Sequence, residues 1–176
     1  MSLTVETGAI IVGAESYVSL ADGDTYHLNN NNGAWAAATT VAREAALRKG
    51  TRYVDSAYRL RWKGQRVNYQ TQALEWPRLN VDLNDRRQVA GFAYGLNSWV
   101  SFDQIPQRLK DATCEAALRA LAGPLLSDVD MNTARKKIGP LETWYTATEI
   151  NMIYPEIDAL LSGLLLPAGQ GTLSRG

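Results

Sequence analysis

The stretch PQRLKDATCEAALRALAGP, residues 106–124, decides the fold. Pro106 suits a first helical turn, where its missing N–H has no partner to lose. Gly123-Pro124 is a stop, because glycine tolerates the C-terminal cap geometry and proline cannot continue the ladder. Between them Cys114, Ala117, Leu118 and Leu121 recur at i, i+3, i+4 and i+7, an apolar stripe of helical period. The many alanines allow a neighbouring helix to come close. A central core helix is therefore predicted from Pro106 to about Ala122.

Other helices are predicted around it. Ser19 can cap one over about 20–29, with Asp22 near its positive end. The Asn- and Gly-rich run 29–33 should stop it, and Trp35 follows as an anchor. Thr39 or Thr40 can cap the next helix, which runs through about Tyr58 on an apolar pattern of Val41, Ala45, Tyr53, Val54 and Ala57. Gly50 interrupts that helix at a cost of about 1 kcal/mol relative to alanine, which predicts a kink or a close packing contact. Residues 70–75 are expected to form a short helix ended by Trp76-Pro77. Trp76, Pro77 and Arg78 should fix the departure of a loop or short hairpin insertion, residues 79–104. Residues 136–145 read as partly strand, broken by Gly139-Pro140, and a last helix is predicted from Pro155 through Leu164. The expected class is mainly α: a helical bundle over 1–166 with that short β-hairpin or loop insertion, followed by an extended C-terminal arm, 167–176.

Composition bounds the function. The 176 residues are 45% hydrophobic and include five tryptophans, enough for a real core. Formal net charge is zero, which gives no general argument for a nucleic-acid binder. One cysteine, Cys114, cannot form an internal disulfide or a cysteine metal cluster. No apolar run approaches the roughly 20 residues needed to span a bilayer, so no membrane contact is expected. Synthesis in a host cytoplasm fits this usage.

Charge is unevenly distributed. Residues 1–39 carry Glu6, Glu15, Asp22 and Asp24 and no Lys or Arg, whereas residues 43–66 carry eight basic residues against Glu44 and Asp55. Such polarity suits a head-to-tail ring in which an acidic face meets a basic one. Arg48, Arg52 and Arg59 form a stripe expected to contact a neighbouring subunit. Arg61, Trp62, Lys63 and Arg66 combine cations with an aromatic, the mixture that single-strand binders use, and are candidate DNA contacts.

Catalytic patterns are missing. His27, the sole histidine, has neighbours Tyr26 and Leu28 that offer no triad support, and reads as a partly exposed helical residue. Asp128 and Asp130 begin a calcium-loop pattern that does not continue. Gly8–Gly13 and Gly91–Gly95 lack the strand–glycine–helix setting of a phosphate loop. Glu75 and Asp82 read as surface loop acids. No enzyme activity and no cofactor are expected.

Several stretches in order resemble a family of small tailed-phage proteins encoded among head-completion genes: AESYVSLAD (14–22) with Tyr26, Trp35 before alanines, AALR (45–48) leading to YVD (53–55), QALEWPR (72–78), Ile105-Pro106, AALRALAGPLL (116–126), KIGP (137–140) and YPEIDALL (154–161). The resemblance runs across most of the chain and is weakest over 79–104. That family is often labelled as DnaT-like single-stranded-DNA-binding protein, and in size and helix layout it resembles the head-tail connector, or adaptor, proteins that ring the portal. The resemblance implies a homo-oligomeric ring of about twelve copies in the virion neck, between the portal and a tail or nozzle protein, with contact possible to DNA in the channel. It also implies a C-terminal arm that docks on the portal, here Leu164, Leu165, Leu166, Leu173 and Arg175.

Overall fold

The computed structural model describes residues 3–82, 99–126, 135–138, 141–144 and 154–167, the two segments between 135 and 144 by their backbone. The chain is mainly α. Its elements are α1 (Leu20–Asn29), α2 (Gly33–Ala37), α3 (Thr40–Tyr58), β1 (Gln65–Arg66), β2 (Arg78–Leu79), α4 (Gln107–Ala122), β3 (Arg135–Ile138), β4 (Leu141–Trp144) and α5 (Pro155–Leu161), the last continued by a 3-10 turn, Ser162–Leu164.

The caps are those the sequence signals. Ser19 Oγ accepts the Asp22 N–H at 3.1 Å, and Thr39 Oγ1 accepts the Ala42 N–H at 3.2 Å. Pro106 is the N-cap of α4, and Gly123 closes it with its N–H on the Arg119 carbonyl at 3.3 Å. Asn31, at φ +53°, turns the chain after α1. The stop predicted over 29–33 is followed at once by α2, because the Asn32 carbonyl accepts the N–H groups of Trp35 and Ala36. That extra turn drives Trp35 into the core at 2% exposure.

Helices α3 and α4 form the main packing layer, and α5 packs on α4. Their contact is set at Gly50. A Cβ there would lie 2.8 Å from both the Ala117 nitrogen and the Thr113 oxygen. Close packing, rather than a kink, explains this glycine. The contact also corrects the faces read from the sequence. Leu109, Ala112, Thr113, Ala116, Ala117 and Ala120 turn inward on α4, while Leu118 and Leu121 are partly buried at its margin. On α3 the inward set is Ala46, Leu47, Gly50, Thr51, Tyr53, Val54 and Tyr58, and Val41 is 76% exposed. Small side chains face the neighbour because the backbones are close, so apolar size misplaces the stripe.

The expected helix over 70–75 is not formed. Asn68 Oδ1 accepts the N–H groups of Gln70 and Thr71, and the buried Gln72 amide donates to the carbonyls of Leu74 and Pro77 at 2.9 and 3.0 Å. These side-chain bonds take the backbone groups a helix would use. The result is a loop between the antiparallel strands β1 and β2, which pair Gln65 with Leu79 and Arg66 with Arg78; the Trp76–Pro77 peptide in that loop is cis.

Residues 83–98 of the expected insertion lie outside the described residues, but its root is closed. Asp82 and Trp99 form an antiparallel bridge, and the Val100 N–H donates to the Val81 carbonyl at 2.9 Å. In the stretch 136–145 read as partly strand, β3 pairs antiparallel with β4 from Arg135↔Trp144 to Ile138↔Leu141, and residues 139, 140 and 145 lie outside the described residues. At the other end of the chain, the N-terminal segment is fastened by Glu6, 1% exposed, whose carboxylate accepts the N–H groups of Gly8, Ile10 and Ile11 at 2.8–3.0 Å.

Gly50→Ala should therefore destabilise the fold by about 1–3 kcal/mol, the usual range for overpacking, despite alanine's better helix propensity. Gly33→Ala, with no atom within 4 Å of the added Cβ, should be near neutral. Urea denaturation of the two variants checks this; equal stability would show that the α3–α4 approach is not tight.

Candidate functional site

The segment leaving α3 holds most of the candidate binding residues. Its first members are exposed, Arg59 at 70% of its side chain and Leu60 at 94%. The next three residues pair with the chain's own C-terminal segment. The Lys63 N–H donates to the Leu164 carbonyl at 3.1 Å, the Leu166 N–H donates to the Arg61 carbonyl at 2.7 Å, and Trp62 and Leu165 form an antiparallel bridge between them.

This pairing places the four candidate DNA contacts. Trp62 is 4% exposed, with its ring 5.7 Å from Trp76 and 6.1 Å from Tyr58, so it presents no face for a base. Lys63 is 9% exposed, and its ammonium donates to the carbonyls of Gly163 at 2.9 Å and Asp82 at 3.1 Å. Arg61 pairs with Asp158 at 3.7 Å and lies over the Tyr58 ring, and Arg66 donates to the Gln72 carbonyl. The cations and the aromatic hold the chain together.

Lys63 thus becomes a hub: one ammonium ties the root of the 83–98 insertion to the turn that precedes the C-terminal segment. Below it Arg78, 7% exposed, donates from Nε to the Lys63 carbonyl, from Nη2 to the Gly64 carbonyl, both at 2.9 Å, and from Nη1 to the Glu75 carboxylate at 3.1 Å. Glu75 also pairs with Arg59 at 3.6 Å and is mostly buried, so it is not a loose surface acid. Neither Lys63 nor Arg78 carries a motif that marks it in the sequence, since their acceptors are carbonyls supplied by distant segments.

Behind the hub runs a second buried chain of polar groups. The Trp76 N–H donates to Tyr17 Oη at 3.1 Å, the Tyr17 hydroxyl donates to Asp55 at 2.5 Å, and the Glu75 N–H donates to the other Asp55 oxygen at 3.1 Å. Burial outweighs these bonds and pushes the Asp55 carboxyl up to about 7. His27, read above as partly exposed, is 1% exposed: its ring packs 4.1 Å from Trp35, and Nδ1 accepts from the Asn32 side-chain amide at 3.0 Å. Burial lowers it to about 4, so it is neutral at ordinary pH. Burial likewise pushes the Cys114 thiol up to about 12, which makes it unreactive.

The acidic and basic parts of the sequence meet inside one chain. Asp24 pairs with Arg43 at 3.1 Å, Glu15 with Arg48 at 3.0 Å, and Arg48 also reaches Glu44 at 3.8 Å. Of the proposed stripe, Arg48 is therefore engaged internally and Arg59 is shared with Glu75, while Arg52 is exposed. Of the five residues expected to dock on the portal, Leu164 and Leu165 are 0% and 3% exposed, part of this chain's own core. Leu166 is half-buried; Leu173 and Arg175, like Asp128 and Asp130, lie outside the described residues.

Among the described residues no three His, Cys, Asp or Glu side chains are placed to hold a metal ion, and no helix is long and apolar enough to cross a membrane. A cleft of about 270 Å³ lies beside α1 and α2. Its charged groups, Asp24 and Arg43, bond each other, the Trp35 indole and the carbonyls of Trp35 and Ala36.

Over residues 1–176 the chain matches the family described as "Putative DnaT-like ssDNA binding protein", and it belongs to that family. No curated protein and no solved structure matches it.

The two buried titrating groups have opposite linkage. Asp55 binds its proton more tightly folded than unfolded, so its contribution to stability falls as pH rises from about 4 to about 7. His27 binds its proton less tightly folded, so its contribution is full above about 6.5 and is lost as pH falls toward about 4. Asp55→Asn should remove the first term and leave stability rising with pH across 4–6.5; His27→Gln should unmask the fall. Denaturation midpoints across this window check both, and parallel profiles for wild type and variants would refute the assignment.

Proposed function

We propose that the chain is a structural subunit of the tailed-phage neck, an adaptor that forms a homomeric ring between the portal and a tail or nozzle protein. It acts by contact, without catalysis or cofactor. The observation that carries this reading is the Lys63 hub. One ammonium joins the carbonyls of Asp82 and Gly163, so the start of the 83–98 insertion is tied to the turn that precedes the C-terminal segment. Two chain segments anchored at one point are suited to engaging neighbours together.

Exposed apolar side chains support the same reading. Trp99 and Phe102, just past the insertion, are 54% and 57% exposed, and Leu126, at the end of the segment after α4, is 50% exposed. Large apolar side chains left in water fit contacts that an assembly completes. With Leu164 and Leu165 fixed in the core, the docking arm in this reading begins at Leu166 and includes Leu173 and Arg175.

The family's description favours a second reading, single-stranded-DNA binding. Its available surface is the outer side of α3 and the segment after it, where Lys49, Arg52 and Arg59 are exposed and Tyr69 is 67% exposed. A ring around the DNA channel would also bring such cations near nucleic acid.

Deleting residues 167–176 should leave the helical core folded, by circular dichroism, and abolish attachment to the portal; undiminished attachment would remove the docking arm from the proposal. Lys63→Met should keep the helices but weaken attachment and speed amide exchange at Leu166. Unchanged exchange would show that the ammonium does not secure the root. Under the second reading, fluorescence anisotropy should detect oligonucleotide binding at physiological salt that weakens steeply as salt rises; no binding would remove it.

A further inference from the structure

We propose that the β3–β4 hairpin is a strand-pairing element between copies, with β3 of one copy adding to β4 of the next. The inference rests on the ring reading above and names the element that would close the ring.

The hairpin is a two-stranded sheet with four residue pairs, and among the described residues neither outer edge has a partner. The substantial contacts of each strand are with the other, not with the helices. An isolated two-stranded hairpin is marginal in water, and each open edge offers a row of unpaired N–H and carbonyl groups to another strand. Among the described residues the element therefore has both edges open.

Residue types at the register positions select the partner. Strand β3 carries Arg135, Lys136 and Lys137 and no acid; β4 carries Glu142 and no base. Pairing β3 with β3 across a twofold axis would set three cations against three. Pairing β3 with β4 of another copy sets unlike charges together, which favours a head-to-tail contact over a symmetric one.

Direction agrees as well. Rotation about a ring axis leaves every hairpin pointing the same way, so the outer edge of β4 in one copy runs antiparallel to the outer edge of β3 in the next. That is the same sense of pairing as within the hairpin. A complete turn yields a closed sheet with two strands per copy and no free edge, the arrangement that removes the exposed rows altogether. The occupant of each edge is a second copy of this chain.

The test uses full-length protein carrying Ile138→Cys mixed with differently tagged protein carrying Leu141→Cys, assembled with the portal and treated with a short bis-maleimide. Cys114 is buried and does not compete. The expected product is a cross-link between the two tags, exceeding either same-tag product. Adding Lys136→Glu with Lys137→Glu should reduce it about fivefold, and adding Glu142→Lys to those should restore it. A dominant Ile138→Cys to Ile138→Cys product would overturn head-to-tail pairing. A ring seen by native mass spectrometry without the mixed cross-link would overturn the hairpin contact while leaving the ring intact. No ring and no cross-link would remove both readings.

Discussion

The close approach of α3 and α4 at Gly50 is the constraint on which the rest of the structure depends. With Ala117 and Thr113 backbone atoms where a Cβ would sit, the two helices can meet only along small side chains. That contact fixes which side of each helix is inside. Once Leu47, Val54 and Tyr58 point inward on α3, the chain leaves the helix aimed so that Trp62 enters the core against Trp76. The basic segment that follows is carried to the C-terminal residues, where its cations find carbonyls instead of solvent.

Local signals were legible because their physics is local. Ser19, Thr39, Pro106 and Gly123 mark helix ends by bonds within a few residues. What failed was anything that needed a distant partner. Val41 was counted as core because it is apolar, yet the inward side is chosen by Gly50. His27 reads as partly exposed because the sequence marks the stop at 29–33 and the anchor Trp35 but not that they fold back onto the imidazole. The segment 61–66 reads as a nucleic-acid surface until Leu165 is laid against Trp62 and Gly163 against Lys63. Composition identifies cations, but not which of them already have acceptors.

The same lesson applies to charge. An acidic N-terminal portion and a basic helix look like two faces waiting for two subunits, but Asp24–Arg43 and Glu15–Arg48 join them within one chain. Partly exposed pairs of this kind each contribute about 0–1 kcal/mol, so they orient the N-terminal segment more than they stabilise it. Buried polar groups carry more. Asp55 and His27 oppose one another across the mildly acidic range, so their two contributions offset each other there.

The family's description and the geometry draw attention to different parts of the molecule. A single-strand binder needs cations and aromatics facing solvent together; in segment 61–66 Trp62 and Lys63 are buried and bonded, which leaves Lys49, Arg52, Arg59 and Tyr69 as the exposed set among the described residues. Other groups are open among the described residues: the exposed apolar side chains Trp99, Phe102 and Leu126, and the two edges of a short hairpin. Unpaired strand edges and exposed apolar roots are satisfied by protein better than by a flexible polyanion, because they need backbone groups and apolar area rather than negative charge. That preference favours a protein partner over nucleic acid at these particular groups.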